Sequence, residues 1–394
     1  MRIVALGGCG VIGTATVKAF LNMTEAAEII IADRNGKAAL DMAKGLGTRV
    51  TAAEVNVENA AQLDRILANA DIVLNTVGPF YRFGPSVLQA AIRTKTHYID
   101  INDDWEPTLE MLGYHEEARK AGITAIVGVG ISPGIMNLMA VRAMRELDTV
   151  DTLVTGWSLD AIVREYMHAS SMDPSARPGG GVTGAAAVHL MHQASGKIRI
   201  YQDGAYADVE PLQEVVLQYP GVGPVSVYTF GHPEPVTLPR MRTDLHNSFN
   251  AMYGNRALIE LLRSTAQTIT AGKIDAYGAA AAMADAQIER MVLAQEYDTP
   301  KVPRRFALAI GKSAGIQKSV AVGLSTQPPG GSGVGIGVAA ALGIRVVEQG
   351  LVKSRGVFAP EDVLDPDGFM NMFAEYCEPP GSKATDILEV AISA

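Results

Sequence analysis

An apolar strand that runs straight into a glycine turn, and from there into a helix, leaves a chain few folds to choose from. Arg2-Ile3-Val4-Ala5-Leu6 leads into Gly7-Gly8-Cys9-Gly10-Val11-Ile12-Gly13, and helix-forming residues follow over 14–21. Gly8, Gly10 and Gly13 have G-x-G-x-x-G spacing. Gly8 allows the tight turn, Gly10 lets another group approach the backbone, and Gly13 lets the helix pack on the strand. The first turn of the helix, with Val11 and Ile12, offers unpaired N–H groups and a positive dipole end, which suits the pyrophosphate of a dinucleotide. A second apolar run, Glu28-Ile29-Ile30-Ile31-Ala32, ends at Asp33, twenty residues after Gly13. A carboxylate there accepts hydrogen bonds from both hydroxyls of an adenosine ribose and disfavours a 2′-phosphate. Arg34 pulls the other way, since it can stack on adenine or pair with that phosphate. The balance leans to NAD(H) over NADP(H).

Strand and helix signals then alternate. Helical segments over 36–46, 60–68, 86–93 and 110–121 separate strands at 48–57, 71–77, 97–101 and 124–129. Repeated β-α units imply α/β architecture, a doubly wound parallel Rossmann sheet of six strands, and apolar strands without alternation fit burial on both faces. From about Leu153 the texture changes. Strand-like pieces at 152–157 and 225–229 occur with glycine-rich connections such as Pro178-Gly179-Gly180-Gly181, and helical pieces lie at 185–194, 255–269 and 279–295. Segments 306–312 and 317–324 pair around Ser313-Ala314-Gly315. This reads as a second α+β domain on a mixed, mostly antiparallel sheet. The expected division is 1–130 for the dinucleotide-binding domain, 131–350 for a substrate and dimerisation domain, and 351–394 returning to the first.

A length of 394 residues suits two domains, each with its own core. A net charge of −9 argues against nucleic acid or an anionic membrane as partner. The most apolar stretch, 334–344, is short and broken by Gly335, Gly337 and Gly343, so no membrane span is expected. Two cysteines, one inside the glycine turn, exclude a disulfide framework and suit a reducing cytoplasm.

Ligands of open parallel sheets sit at the carboxyl ends of the strands. Besides the glycine turn and Asp33-Arg34, the residues expected there are Asn56-Val57, Asn75-Thr76-Val77-Gly78 with Phe80, Tyr81 and Arg82 after it, Asp100, and Ser132 with Gly134. Gly78-Pro79 and Pro133-Gly134 are equally simple strand stops.

These pieces carry a resemblance. Gly8-Cys9-Gly10-Val11-Ile12-Gly13, Ala32-Asp33-Arg34-Asn35, Asn75-Thr76-Val77-Gly78-Pro79-Phe80 and His97-Tyr98-Ile99-Asp100 are joined by three later ones: Gly130-Ile131-Ser132-Pro133-Gly134, Gly231-His232-Pro233-Glu234-Pro235 and Gly356-Val357-Phe358-Ala359-Pro360. Together the chain resembles the saccharopine dehydrogenase-like family, with its saccharopine reductases, carboxynorspermidine dehydrogenases and lysine 6-dehydrogenases. The resemblance implies a nicotinamide-dependent oxidoreductase working at a carbon–nitrogen bond of an amino acid or derived amine, often as a homodimer. Gln327-Pro328-Pro329-Gly330-Gly331-Ser332-Gly333 has no match in that pattern, and is expected at the pocket rim.

Such chemistry needs a group that moves the amine proton. His232 and Glu234 stand in a loop stiffened by Pro233 and Pro235, and a histidine beside a carboxylate suits the task. The alternative for them is a structural turn. Asp100 is either a base, an orienting carboxylate or a plain strand cap. Arg82, Arg240 and Arg242 could clamp a substrate carboxylate, although a surface charge explains each equally. Asp244 and His246 form a weaker pair. His189-x-x-His192 could present two metal ligands on one helical face, but no third ligand is spaced to join them, so no metal is expected. A dehydrogenase of alcohols or aldehydes, or a non-catalytic NAD-binding sensor, would carry much of the same pattern.

Overall fold

The computed structural model of the chain describes residues 1–23, 28–163, 184–283 and 302–393, in two compact units. The first comprises Met1–Ile135 and Gln327–Ala384, the second Met136–Thr326 and Thr385–Ala394.

The first unit holds a seven-stranded sheet. Its strands are β1 (Arg2–Leu6), β2 (Glu28–Asp33), β3 (Val50–Glu54), β4 (Ile72–Asn75), β5 (His97–Asp100), β6 (Thr124–Ile126) and, from far down the chain, Gly356–Phe358. All neighbours are parallel, and the order is β3-β2-β1-β4-β5-β6 followed by Gly356–Phe358. The order reverses between β1 and β4, the switch point beside which open α/β sheets bind ligands. Ile29, Ile30 and Ile31 are all buried, as are Val4, Ala5 and Leu6, because helices cover both faces.

The sheet has one strand more than expected, since a three-residue strand carries too little periodicity to be read locally. The helix expected over 110–121 is two, Trp105–Gly113 and His115–Ala121. The helix after β4 starts at Phe80, so Phe80, Tyr81 and Arg82 form its first turn.

The C-terminal division also differs from expectation. The return to the first unit begins at Gln327, not at 351, because the helix Ser332–Glu348 packs against the helix Val11–Met23. The two backbones approach so closely that a Cβ on Gly337 would lie 2.7 Å from Ala15 Cβ and 2.8 Å from Thr16 N. The glycines that interrupt this apolar stretch are thus its packing points.

The second unit holds a nine-stranded mixed sheet. Its strands are β7 (Thr149–Ser158), β8 (Ile198–Gln202), β9 (Ala205–Val209), β10 (Glu214–Tyr219), β11 (Gly223–Phe230), β12 (Asn247–Tyr253), β13 (Arg305–Ser313), β14 (Ile316–Leu324) and the chain's last strand, Leu388–Ser393. Only β7 and β12 run parallel; the other neighbours are antiparallel. Leu388–Ser393 pairs with β14, so the end of the chain belongs here and not to the first unit. The turn between β8 and β9 places Asp203 (φ 52°) and Gly204 (φ 78°) in the left-handed region, an Asp-Gly hairpin. The helix expected over 279–295 is seen as Ala276–Met283, and its remainder lies outside the described residues, as does the 178–181 connection.

Candidate functional site

The glycine turn closes on its own backbone. Gly7 takes φ +71° and donates its N–H to Ala32 O at 2.9 Å, while Gly10 N–H bonds back to Gly7 O at 2.9 Å. The left-handed residue of the turn is therefore Gly7, not Gly8. A Cβ on Gly13 would lie 2.8 Å from Gly8 Cα, so the helix sits directly on the turn. A Cβ on Gly10 would meet only Gly7 O, at 3.2 Å, so the protein's own packing leaves the space over Gly10 open. That is the cradle a pyrophosphate requires, with the first-turn N–H groups of Val11, Ile12 and Gly13 lacking intrahelical acceptors. Thr76 Oγ1 donates to Leu6 O (2.9 Å) and Gly7 O (3.1 Å), tying the end of β4 to the turn. The residues present thus fit a dinucleotide.

Asp33 ends β2, and its Oδ1 accepts the Asn35 N–H at 3.0 Å. The Cys9 thiol faces the same carboxylate; burial first, and then that charge, push it up to about 11, so it is no nucleophile. Arg34 and Asn56 are exposed. Val57 lines an open groove of about 310 Å³ with Glu58, Leu63, Arg82 and Phe83.

Between the ends of β4 and β6 runs a buried polar chain. Asn75 Nδ2 donates to Tyr98 OH (3.0 Å), and Tyr98 OH donates to Asp100 Oδ2 (2.7 Å). Asp100 Oδ1 accepts the N–H groups of Asn102 (3.1 Å) and Gly128 (2.7 Å). Asn75 Oδ1 in turn holds Val77 N–H at 3.0 Å. Asp100 is fully buried; that burial raises its carboxyl to about 7, against the downward pull of its three donors. With both oxygens engaged and no exposure, Asp100 has the setting of a carboxylate that positions strand ends, another of the roles expected of it. The Arg82 side chain is exposed and ion-paired with Glu58 at 2.6 Å. Phe80 is buried and Tyr81 half-buried, its N–H on Asp104 Oδ2 at 3.2 Å. Half-buried Ser132 and buried Gly134 lie in a loop closed by Gly130 N–H on Pro133 O (3.0 Å).

The second unit carries the other group. His232 and Glu234 are both buried, with Nδ1 3.0 Å from Glu234 Oε2. A carboxylate on Nδ1 puts the ring proton there and the lone pair of the neutral ring on Nε2. Pro233 begins the helical turn Glu234–Thr237 that carries Glu234. Around His232 stand rings from three other elements: His189 edge-on at 5.2 Å, Phe230 at 5.9 Å and Trp157 at 6.3 Å. Trp157 Nε1 donates to Asn250 Oδ1 at 3.0 Å, fixing the indole. Phe230 and Trp157 are not among the expected site residues, and His189 is expected only as half of a metal pair that is set aside; two aromatic strand residues carry no local signal of this convergence. Arg240 is exposed, its Nε donating to Thr237 O at 3.2 Å. Asp244 and His246 do not pair. Asp244 is held by Arg242 (2.7 Å), which keeps its carboxyl below the usual range, and His246 lies 3.3 Å from Asp151.

A glycine cradle at the switch point of a parallel sheet, with a carboxylate ending the next strand, defines a dinucleotide-binding protein. Residues 3–126 match the family model of the saccharopine dehydrogenase NADP binding domain. The chain is 34% identical over 119 residues to the saccharopine dehydrogenase [NADP(+), L-glutamate-forming] of Saccharomyces cerevisiae, covering 30% of this chain and 25% of that one. It is 24% identical over 291 residues to the carboxynorspermidine synthase of Vibrio alginolyticus, covering 65% of this chain and 64% of the synthase. The aligned stretches thus span less than two thirds of either relative. Across all of both chains its fold is similar to that of apo saccharopine dehydrogenase (L-Glu forming) from S. cerevisiae, with a TM-score of 0.62 at 17% identity. The family-model match spans residues 3–126 alone, and over the whole chain it is the fold that is similar. No helix among the described residues is long and apolar enough to cross a membrane.

Proposed function

We propose that the chain interconverts a secondary or primary amine and its imine, on an amino acid or an amino-acid-derived amine, with NAD(H) preferred. The observation that carries this reading is the buried His232–Glu234 pair at 3.0 Å. Redox chemistry at a carbon–nitrogen bond moves a proton on nitrogen as well as a hydride on carbon, and the pair suits the first task. In the oxidative direction Nε2 of His232 takes the amine proton, and Glu234 stabilises the imidazolium that results. Gly10, Val11, Ile12 and Gly13 would hold the pyrophosphate, Asp33 the adenosine ribose, and Thr76 to Gly78 the segment beyond. The nicotinamide supplies the hydride acceptor or donor. Ser132 and Gly134 line the substrate side with Phe80 and Tyr81, and Arg240 remains the candidate clamp for a substrate carboxylate. The protein works as a cytoplasmic homodimer.

The test is the appearance or loss of reduced-nicotinamide absorbance with the purified chain, NAD(P)(H), and a panel of amino acids and keto acid–amine pairs. Turnover with one such pair supports the reading. Turnover only with alcohols or aldehydes makes the chain a different dehydrogenase, and cofactor binding without turnover on any of them makes it a sensor.

A further inference from the structure

We infer that Glu54 is a second determinant of cofactor choice, holding a negative charge where the 2′-phosphate of NADP(H) would be received; this rests on the dinucleotide reading above. Asp33 and Glu54 are register partners at the ends of the parallel strands β2 and β3. Neighbouring strands lie ~4.8 Å apart and paired residues share a face. The two carboxylates differ in their surroundings. Asp33 accepts from Asn35 N–H and faces the Cys9 thiol, so its position is fixed by the turn it serves. Exposed Glu54 folds over Gly36, the first residue of the helix Gly36–Leu46. A Cβ on Gly36 would lie 2.6 Å from Glu54 Oε2 and 2.8 Å from Glu54 Cβ, so a side chain here would displace the carboxylate.

The seat of a 2′-phosphate is beside the residue that ends β2, where a nearby Arg can receive it, and the positive end of the following helix adds to its attraction. In this chain that end is already served: Asn35 Oδ1 takes Ala38 N–H at 3.0 Å, and the Glu54 carboxylate lies against Gly36. Lys37 is paired with Asp41 at 2.6 Å. A 2′-phosphate brought here would meet two carboxylates, with Arg34 as the cation beside them. The match to a domain described as NADP-binding therefore does not fix this chain's preference.

Titration of the full chain with NADH and with NADPH, following nicotinamide fluorescence, needs no substrate. Wild type should bind NADH the tighter. Glu54→Gln keeps the size of the side chain and should tighten NADPH at least about tenfold while leaving NADH within about twofold; Glu54→Ser, which removes the stem as well, should change the ratio in the same direction. Glu54→Gln combined with Asp33→Asn should move the ratio further than either alone. An unchanged NADPH/NADH ratio in both Glu54 variants, or a wild type that prefers NADPH, overturns the inference. A wild type that binds neither dinucleotide instead removes the cofactor reading on which it rests.

Discussion

The glycine turn of the first unit and the His232 cluster of the second are built by opposite means. The turn is backbone: Gly7, Gly8, Gly10 and Gly13 lie within seven consecutive residues, and what the turn offers is open space over Gly10 and the first-turn N–H groups of the helix it starts. The cluster is side chain: Trp157, His189, Phe230, His232 and Glu234 come from a strand, a helix, a second strand, the loop after it and the helical turn that follows. A backbone device constrains its own sequence locally and tolerates no Cβ at its contacts. A side-chain device needs a large buried setting and accepts that setting from anywhere in the chain.

The sharpest way to test this contrast is His232→Ala, which should lower kcat by roughly 100-fold or more with NADH binding retained. An unchanged kcat with the substrate found in the panel above would remove His232 from the reaction and leave the cluster as core. Gly13→Ala should do the reverse. A methyl 2.8 Å from Gly8 Cα and 2.9 Å from Thr76 Oγ1 overpacks the turn, so destabilisation of about 1–3 kcal/mol should accompany weakened NADH binding, read by thermal melts with and without the dinucleotide. Were Gly13→Ala to bind NADH like wild type, the turn would not be the cradle. Asp33→Ala acts on the turn's neighbour and should weaken NADH about tenfold, since a hydrogen bond to a charged group contributes about 1.5–3 kcal/mol. NADPH should weaken less, and the opposite order would refute the assignment of Asp33 to the ribose.

The smallest effect concerns Asp100, whose carboxylate is fully buried among its donors. Its carboxyl is raised from 3.8 to about 7 in the fold, so between those values the folded chain keeps a proton that the unfolded chain releases. Stability from this group is full below pH 3.8 and is lost as pH rises through about 7. Asp100→Asn keeps an acceptor for Gly128 N–H but cannot ionise. The wild type should therefore lose stability relative to Asp100→Asn between about pH 4 and pH 7 in urea titrations, and parallel pH profiles would show that Asp100 carries no such shift.

Legibility in the sequence followed the range of the interactions. The Rossmann strands through β6 were readable because each is an apolar run between short helices, and the cofactor residues because they end those strands. Gly356–Phe358 and Leu388–Ser393 were not, since each owes its strand state to a partner hundreds or tens of residues away: Thr124–Ile126 in one case and β14 in the other. The β8–β9 hairpin is legible locally, because Asp203-Gly204 is a strong turn signal. Glu54 is not, because nothing local says that its carboxylate lies over Gly36.

By itself the sequence determined the strand–turn–helix at the N-terminus, the parallel alternation that follows it, and the carboxylate at Asp33, because these rest on spacing and backbone freedom within one β-α unit. Only the tertiary structure decided that Asp100 is sealed beneath Tyr98 and Gly128, that Arg82 turns to Glu58, and that His189 and Trp157 surround His232. Those outcomes depend on which distant side chains share a buried volume, and burial is a property of the packed chain rather than of any segment of it.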